Sequence, residues 1–168
     1  PPSSVTILVT DDDTAGFTVT PVGGLVVHEN GTPSTETFTV VLNSQPTNTV
    51  SIPSITSSNT SEITVSPASL SFTAGNWNTP QTVTITSVLD GMDDGDQNVN
   101  ISFGNSTSAD SKYNSTAIPA VTAINTDSNE PLVRIQNLSA SSMLENGTST
   151  ITFEIRLSLK PNANVTIG

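Results

Sequence analysis

The chain contains a large part of a second copy of itself, and this internal repeat limits the folds available to it. Residues 11–52 align with residues 127–167 once a single-residue gap is allowed beside Pro33. The motif Glu-Asn-Gly-Thr begins at Glu29 and begins again at Glu145. The two copies are 116 residues apart at Glu29 and Glu145 and 115 apart at Phe38 and Phe153. This period is much longer than the ~20–50 residues of solenoid repeats, so the repeating unit is a whole domain. The apolar matches are Phe17 with Val133, Val19 with Ile135, Phe38 with Phe153, Leu42 with Leu157, Val50 with Val165 and Ile52 with Ile167.

The repeat predicts three segments. Residues 1–10 are the last strand of a preceding repeat, residues 11–126 are one complete repeat, and residues 127–168 are the N-terminal part of a following repeat. The complete repeat is long enough to bury a core, whereas a segment as short as the third is usually too small to do so alone. We therefore expect the third segment to pack on its neighbour, to be completed by another chain, or to continue further.

The charge balance indicates which partners suit the chain. The net charge is −11, from 15 acidic and 4 basic residues, and Lys112 is the single basic residue of residues 1–126. Such a surface repels nucleic acid and anionic membranes and attracts cations. There is no cysteine, which excludes disulfides and thiolate metal sites but not an extracellular location. No apolar run approaches the ~20 residues that span a bilayer.

Alternation of apolar and polar residues at period two runs through the chain, with turn residues between the runs. This pattern predicts an all-β fold, an antiparallel Ig-like β-sandwich of about seven strands. We expect Phe17, Phe38, Phe72 and Phe103 to be the bulky core members and Trp77 to cover one end of the sandwich. The predicted strands are residues 5–9, 17–20, 25–27, 37–42, 50–52, 63–65, 70–72, 82–88, 99–103, 120–124 and 165–167.

Carboxylates gather at the ends of these strands. One group is Asp11, Asp12 and Asp13, a second lies in residues 90–96, and a third begins at Asp127. Adjacent carboxylates repel one another unless a cation neutralises them, and calcium takes six to eight oxygen ligands from flexible loops. The absence of His and Cys from these groups disfavours zinc. The alternative is that acidic turns are solvated and keep the surface soluble. The spacing is not that of an EF-hand.

Four segments in order resemble Calx-β domains, which occur in sodium/calcium exchangers and in many long bacterial surface proteins. They are the Glu-Asn-Gly-Thr turn, residues 72–85 (Phe-Thr-Ala-Gly-Asn-Trp-Asn-Thr-Pro-Gln-Thr-Val-Thr-Ile), residues 89–97 (Leu-Asp-Gly-Met-Asp-Asp-Gly-Asp-Gln) and the closing Thr-Asp-Asp-Asp of residues 10–13. The resemblance implies a seven-stranded sandwich that binds calcium at one end through loop carboxylates and the acidic segment closing the domain.

The resemblance also implies a ligand set. In the complete repeat the implied calcium ligands are Glu29, Glu62, Asp90, Asp94, Asp96, Asp127 and Asn129. Asp11, Asp12 and Asp13 would close the preceding repeat's site, and Glu145 would belong to the following one. Gly91, Ser128 and Asn129 stand where carboxylates are common in the family. We therefore expect the complete repeat to hold fewer ions or to bind them more weakly.

The function implied is a structural one: a calcium-stiffened stalk repeat of a large extracellular or cell-surface protein, an adhesin or filament. Its partners would be neighbouring repeats, or identical chains in a filament, with no nucleic acid and no direct membrane insertion. Two alternatives are a calcium-sensing module of a membrane protein and a filament subunit that assembles by strand addition.

Two further functions are less favoured by the sequence. An enzyme is not expected, because His28 is expected to be an exposed polar residue that its repeat replaces with Leu144. An adhesive module has only Trp77, Tyr113 and the polar residues 105–114 in its favour. Eight Asn-x-Ser/Thr sequons are candidate glycosylation sites, although chance explains most of them in so Asn-, Ser- and Thr-rich a chain: Asn30, Asn59, Asn100, Asn105, Asn114, Asn137, Asn146 and Asn164.

Overall fold

A computed structural model describes residues 4–8, 12–128, 132–139, 150–158, 161 and 163–167 of the chain. The regular secondary structure of these ranges consists of β-strands, as the alternation predicts. There is no helix among the described residues that is long and apolar enough to cross a membrane. The strands are β1 (Phe17–Thr20), β2 (Leu25–His28), β3 (Thr35–Leu42), β4 (Val50–Ile52), β5 (Ile55–Ser57), β6 (Ile63–Ser66), β7 (Leu70–Phe72), β8 (Gln81–Ser87), β9 (Gln97–Phe103), β10 (Thr107–Ser108), β11 (Val121–Thr126), β12 (Val133–Gln136) and β13 (Glu154–Leu157).

Strands β1 to β11 form a β-sandwich. One sheet has the order β1-β3-β8-β6, the second has the order β2-β11-β9-β5, and a small third sheet has the order β10-β4-β7. Strands β2 and β11 run parallel, while the other pairings among the described strands are antiparallel. The early strand β2 therefore lies directly beside β11, the last strand of the sandwich.

The core follows from alternation along the longest strands. In β3, Phe38, Val40 and Leu42 point inward, and Phe38 pairs with Val83 of β8. Successive strand residues face opposite sides, so the threonines between these positions face outward on the solvated side. Burial of such aliphatic and aromatic side chains stabilises the fold by about 1.5–3 kcal/mol each.

The predicted aromatic core is largely confirmed. Phe17, Phe38 and Phe72 are buried, while Phe103 is half-buried and meets Phe38 edge to face at a ring-centroid distance of 6.0 Å. Trp77 is also half-buried and packs against the core, as expected of a residue that covers the end of a sandwich. Its carbonyl accepts a hydrogen bond from the amide of Leu42 at 3.1 Å.

Some strand predictions were wrong. Residues 5–8 lie outside any strand and are exposed, and residues 165–167 likewise form no strand. A strand is held by its neighbours, and neither segment has a ladder partner among the described residues. Conversely, the sequence did not predict β5 and β10, because strands of three and two residues that are mostly Ser and Thr carry no readable alternation.

The pairing of β12 with β13 repeats the register of β1 with β3. Phe17 pairs with Leu42 in the first pair of strands, and their repeat equivalents Val133 and Leu157 pair in the second. Phe17 is 8% exposed whereas Val133 is 55% exposed, so the second pair leaves uncovered a face that the first pair buries. The division of the chain into three segments stays a prediction, and this shared register supports it.

Candidate metal centre

The strand register defines two opposite ends of the sandwich. Strand β3 begins at Thr35, beside the end of β8, and finishes at Leu42, beside the start of β1. At about 3.3 Å per residue, its eight residues separate the two ends by about 25 Å. The ends of β2 and β11 lie at the same end as Thr35, because Ser87 Oγ at the end of β8 donates to the His28 carbonyl at 2.9 Å and His28 pairs with Thr126. We call this end the acidic pole; it carries Glu29, Glu62, residues 90–96 and Asp127.

Three carboxylates meet at the acidic pole. One oxygen each from Glu62, Asp90 and Asp94 lie within 4.8 Å of one another, with Glu62 buried and the other two exposed. Calcium holds oxygens at ~2.3–2.6 Å, so oxygens on opposite sides of one ion are separated by about 5 Å. The spacing therefore fits a calcium ion without rearrangement of the strands that carry these residues.

Backbone contacts join the loop after β8 to the end of β11. The Oδ2 atom of Asp127 accepts hydrogen bonds from the amides of Asp94 and Gly95, each at 3.1 Å. In return, the Oδ1 atom of Asp96 accepts one from the amide of Asp127 at 3.1 Å. Gly95 has a φ of 76°, a conformation that glycine adopts without steric cost. Asp96 and Asp127 thus shape the loop that presents Asp94.

Glu29 is buried at the same pole, with 7% of its surface exposed. Its pKa is raised to about 7, first by burial and then by the negative charges of Asp90, Asp127, Glu62 and Asp94. A carboxyl group in this setting is partly protonated at neutral pH when no cation is present. A divalent cation would reverse that effect and favour the ionised form.

Asn125 is a functional candidate that the sequence analysis missed. Its Nδ2 atom donates to Glu62 Oε2 at 2.9 Å, to the Glu62 carbonyl oxygen at 3.1 Å and to Glu29 Oε1 at 3.4 Å. Its Oδ1 atom is buried and has no hydrogen-bond partner in the described part of the chain. The sequence does contain a signal for Asn125, because it follows Val121 and Ala123 at alternate positions and therefore lies on the inward face of β11. A polar side chain there needs partners in the interior.

Of the remaining predicted ligands, only Asp12 and Asp13 are among the described residues, and the structure places them away from this cluster. Asp12 and Asp13 are exposed and precede β1, at the opposite end of the sandwich. Asp11, Asn129 and Glu145 lie outside the described residues. The structure thus brings together six of the predicted ligands, while their role in binding calcium stays a prediction.

Three other sequence expectations concern single residues. His28 is half-buried rather than exposed, and its Nδ1 atom is hydrogen-bonded to Thr126 Oγ1. The expectation of exposure was wrong because the parallel pairing of β2 with β11 brings these residues together. Tyr113 is fully buried, so it offers no surface for adhesion. Seven sequon asparagines are exposed, namely Asn30, Asn59, Asn100, Asn105, Asn114, Asn137 and Asn164, while Asn146 lies outside the described residues.

Comparison with known proteins identifies the fold. Neither a protein-family model nor a curated protein sequence matches the chain. Among solved structures, the apo form of the Calx CBD1 domain matches with a TM-score of 0.52 and 18% identity, over 70% of this chain and 100% of that one. The periplasmic chaperone SfaE matches with a TM-score of 0.51 and 11% identity, over 68% of this chain. The match spans 59% of the chaperone's length. At these identities the likeness shows a shared fold only.

Proposed function

We propose that the complete repeat is a calcium-binding structural module of a tandem array in an extracellular or cell-surface stalk. The observation that carries the proposal is the convergence of Glu62, Asp90 and Asp94 at the pole where the chain leaves the sandwich. A non-catalytic role is part of the proposal, because the geometry offers a cation site rather than a nucleophile with a base.

The donor set suits calcium in its chemistry. Carboxylate oxygens are hard ligands, and those of Glu62, Asp90 and Asp94 would hold the ion, with Glu29 and Asp127 close enough to share its field. Bound calcium would supply the positive charge that this pole lacks. The buried Oδ1 of Asn125 is a further oxygen that lacks a hydrogen bond within the described ranges.

Stiffening follows from where the cluster sits. Asp127 comes directly after β11 and is hydrogen-bonded to the loop that carries Asp94. An ion held by this loop would lower the mobility of the exit segment and remove the repulsion among its carboxylates. In a tandem array, each junction would become straighter and less flexible. The partners are then neighbouring repeats, and the proposed location is extracellular, where calcium is abundant.

Thermal unfolding of the chain in calcium and in chelator tests the proposal. We expect calcium to raise the unfolding midpoint by several degrees, because a ligand that binds only the folded state stabilises it. Asp90→Asn and Asp94→Asn should each remove most of the calcium-dependent shift. Glu154→Gln is the matched control, since Glu154 is an exposed carboxylate paired with Arg156 in β13. A midpoint that is the same in calcium and in chelator would show that the ligand assignment is wrong.

A filament subunit that assembles by strand addition is a second candidate, favoured by one observation. The β12–β13 pair exposes apolar residues whose equivalents in the complete repeat are buried, among them Ile135, Phe153 and Leu157. Within the described ranges these two strands pair only with each other, so their outer edges could accept a strand from another chain while the apolar face packs against it. Size-exclusion chromatography at rising concentration distinguishes the two candidates, because a filament subunit polymerises alone and a stalk module does not. The sensor alternative predicts that calcium binding is coupled to a membrane partner.

A further inference from the structure

We propose that Asn30 is a self-modifying site, at which the backbone nitrogen of Gly31 slowly converts the Asn30 side chain into a carboxylate. The two residues belong to the Glu-Asn-Gly-Thr motif, of which the cation site uses only Glu29. They lie in the connection between β2 and β3, at the acidic pole. The reaction needs neither an enzyme nor a metal, so this inference does not depend on the proposed calcium site.

The reaction is deamidation through a cyclic imide. The Gly31 nitrogen, after losing its proton to solvent hydroxide, attacks Cγ of Asn30. The new N–Cγ bond forms, the bond from Cγ to Nδ2 breaks, and ammonia leaves with a proton from water. A water molecule then opens the ring, at Cγ to give aspartate or at the main-chain carbonyl to give isoaspartate. The net change converts an amide and water into a carboxylate and ammonium.

The turn leaves both reacting groups accessible. Asn30 and Gly31 are exposed, and within the described ranges no hydrogen bond engages the Asn30 side chain or the Gly31 amide. Glycine has no Cβ, so no side chain on residue 31 shields the attacking nitrogen. The base of the turn is closed, because the His28 amide donates to the Pro33 carbonyl at 3.0 Å. The turn is therefore anchored at its base, while no hydrogen bond holds its tip away from the geometry of attack.

Two comparable dipeptides at the same pole are restrained. Asp-Gly pairs can form the same imide, and the structure describes two of them, Asp90–Gly91 and Asp94–Gly95. In the second pair the glycine amide donates to Asp127 Oδ2 at 3.1 Å, so its nitrogen is already engaged. In the first pair the Oδ1 atom of the aspartate accepts from the amide of Met92 at 2.8 Å, which directs the carboxylate past the glycine. The structure thus singles out Asn30 for this chemistry.

The product adds negative charge to the acidic pole. Residue 30 directly follows Glu29, which is buried there and lies in the field of four other carboxylates. Like charges at short range repel, so in chelator the modified pole is less stable than the parent. The same added charge attracts a divalent cation more strongly. The demand of the pole for a cation therefore rises as the molecule ages.

Peptide mapping of the 168-residue chain tests the modification. The chain is incubated at mildly alkaline pH in native buffer and in urea, digested with pepsin, and the deamidated fraction of each Asn-containing peptide is followed by mass spectrometry. We expect the rate at Asn30 in native buffer to be within about threefold of the rate in urea, because this turn has little local protection. Gly31→Ala should slow the reaction about tenfold, since it places a methyl group beside the nitrogen.

Asn59 is the internal comparison in the same digest. It is exposed like Asn30, but its Oδ1 atom accepts a hydrogen bond from the Ser61 amide at 3.1 Å and the β-branched Thr60 follows it. We expect its rate in native buffer to be at least about tenfold below that of Asn30. Equal rates at the two asparagines would contradict the proposal.

Three further results would overturn it. They are a native rate at Asn30 more than about tenfold below the urea rate, a Gly31→Ala variant that reacts as fast as the parent, and a glycan on Asn30 Nδ2 in the protein from its native source, which would block the amide. A Cβ on residue 31 would lie 3.0 Å from His28 Cβ, so a second variant leaves the glycine in place. Asn30→Gln should abolish the signal in this peptide, and a signal that persists would show that another residue reacts.

The effect on the cation site is measured separately with Asn30→Asp, which has the charge of the product. Calorimetric titration should show calcium binding about two- to fivefold tighter than in the parent. Asn48→Asp, the same substitution at an exposed position at the opposite end of the sandwich, should leave the affinity unchanged. Equal affinities in the two variants would contradict the added attraction for a cation. If neither the parent nor Asn30→Asp binds calcium, the calcium proposal fails, while the peptide map still decides whether Asn30 is modified.

Discussion

The side-chain amide of Asn125 donates a hydrogen bond of 2.9 Å to Glu62, and this contact links the last strand of the sandwich to the most buried member of the carboxylate cluster. Asn125 is 1% exposed and also reaches Glu29 Oε1 at 3.4 Å. One neutral donor thus lies against two buried carboxyl groups. A change in the charge of Glu62 or Glu29 therefore acts directly on Asn125 and on β11, the strand that carries it.

Replacing this neutral donor by a charge gives the first prediction. Asn125→Asp places a third carboxylate against Glu62 and Glu29, so in chelator we expect the free energy of unfolding to fall by about 3 kcal/mol. Saturating calcium should restore a large part of that loss. Asn100→Asp, the same substitution on the exposed face of β9, should change stability little in either condition. Urea unfolding with and without calcium measures both, and equal losses in the two variants would contradict the role given to Asn125.

The raised pKa of Glu29 gives a dependence of stability on pH. The group binds its proton more tightly in the folded state than in the unfolded one, where its pKa has the ordinary value of 4.5. Its stabilising contribution is therefore complete below pH 4.5 and is lost as pH rises through about 7. In chelator we expect a loss of up to about 3 kcal/mol across this window.

Glu29→Gln is the variant that isolates this effect. A glutamine is neutral at every pH, so the variant should lose less stability than the parent between the two pH values. The pKa of Asp110 is lowered by its hydrogen bonds with Thr47 and Lys112, so its contribution is lost only at more acidic pH and does not overlap this window. If the parent and Glu29→Gln give parallel pH profiles in chelator, the raised pKa is not a property of the folded state.

The backbone of the loop after β8 gives the third prediction. Gly95 has a φ of 76° and directs its amide at Asp127, so Gly95→Ala strains a conformation that costs about 1–2 kcal/mol for other residues. We expect calcium to bind about fivefold more weakly, equivalent to ~1 kcal/mol. Gly24→Ala is the matched control, because Gly24 has a φ of 77° and equally open surroundings but lies between β1 and β2. Calorimetric titration should show weaker binding in Gly95→Ala alone.

The buried hydroxyl of Tyr113 gives the fourth prediction. Tyr113→Phe leaves the amide and carbonyl of Ser44 without their partner, which should cost about 1–3 kcal/mol of unfolding free energy. Ser44→Ala removes only the contact between the two hydroxyls and should cost less than about 1 kcal/mol. Urea denaturation measures the two values. A Tyr113→Phe variant as stable as the parent would show that these hydrogen bonds do not stabilise the folded state.

The parts of the fold that the sequence predicted are those where burial sets a local pattern. Strands β3 and β8 alternate over seven or more residues, so their inward sets could be identified from the sequence alone. Short strands such as β5 depend on a neighbour that lies far away in the sequence, here β9. Residues 5–8 have the alternation of a strand but lack a partner strand among the described residues. Alternation without a partner did not produce a strand there.

The candidate site shows the same division. The carboxylates that converge at the acidic pole were predicted because they stand at strand ends and because the segments around them resemble Calx-β motifs. The contacts of Asn125 depend on the register between β11 and the loop before β6, which no local pattern encodes. Tyr113 looked like a surface aromatic in a polar stretch, whereas its hydroxyl finds its partners 69 residues away. Both residues owe their roles to contacts between segments that are distant in the chain.

The parallel pairing of β2 with β11 has a mechanical consequence. The chain enters the sandwich at the end opposite the acidic pole and leaves it at the acidic pole, so a pulling force between Asp13 and Asp127 acts along the strands. The hydrogen bonds from Leu25 to His28 cross this direction and are loaded together in shear, instead of opening one at a time as in an unzipping hairpin. Such a module resists extension as a unit, which is the mechanical property that the proposed stalk role requires.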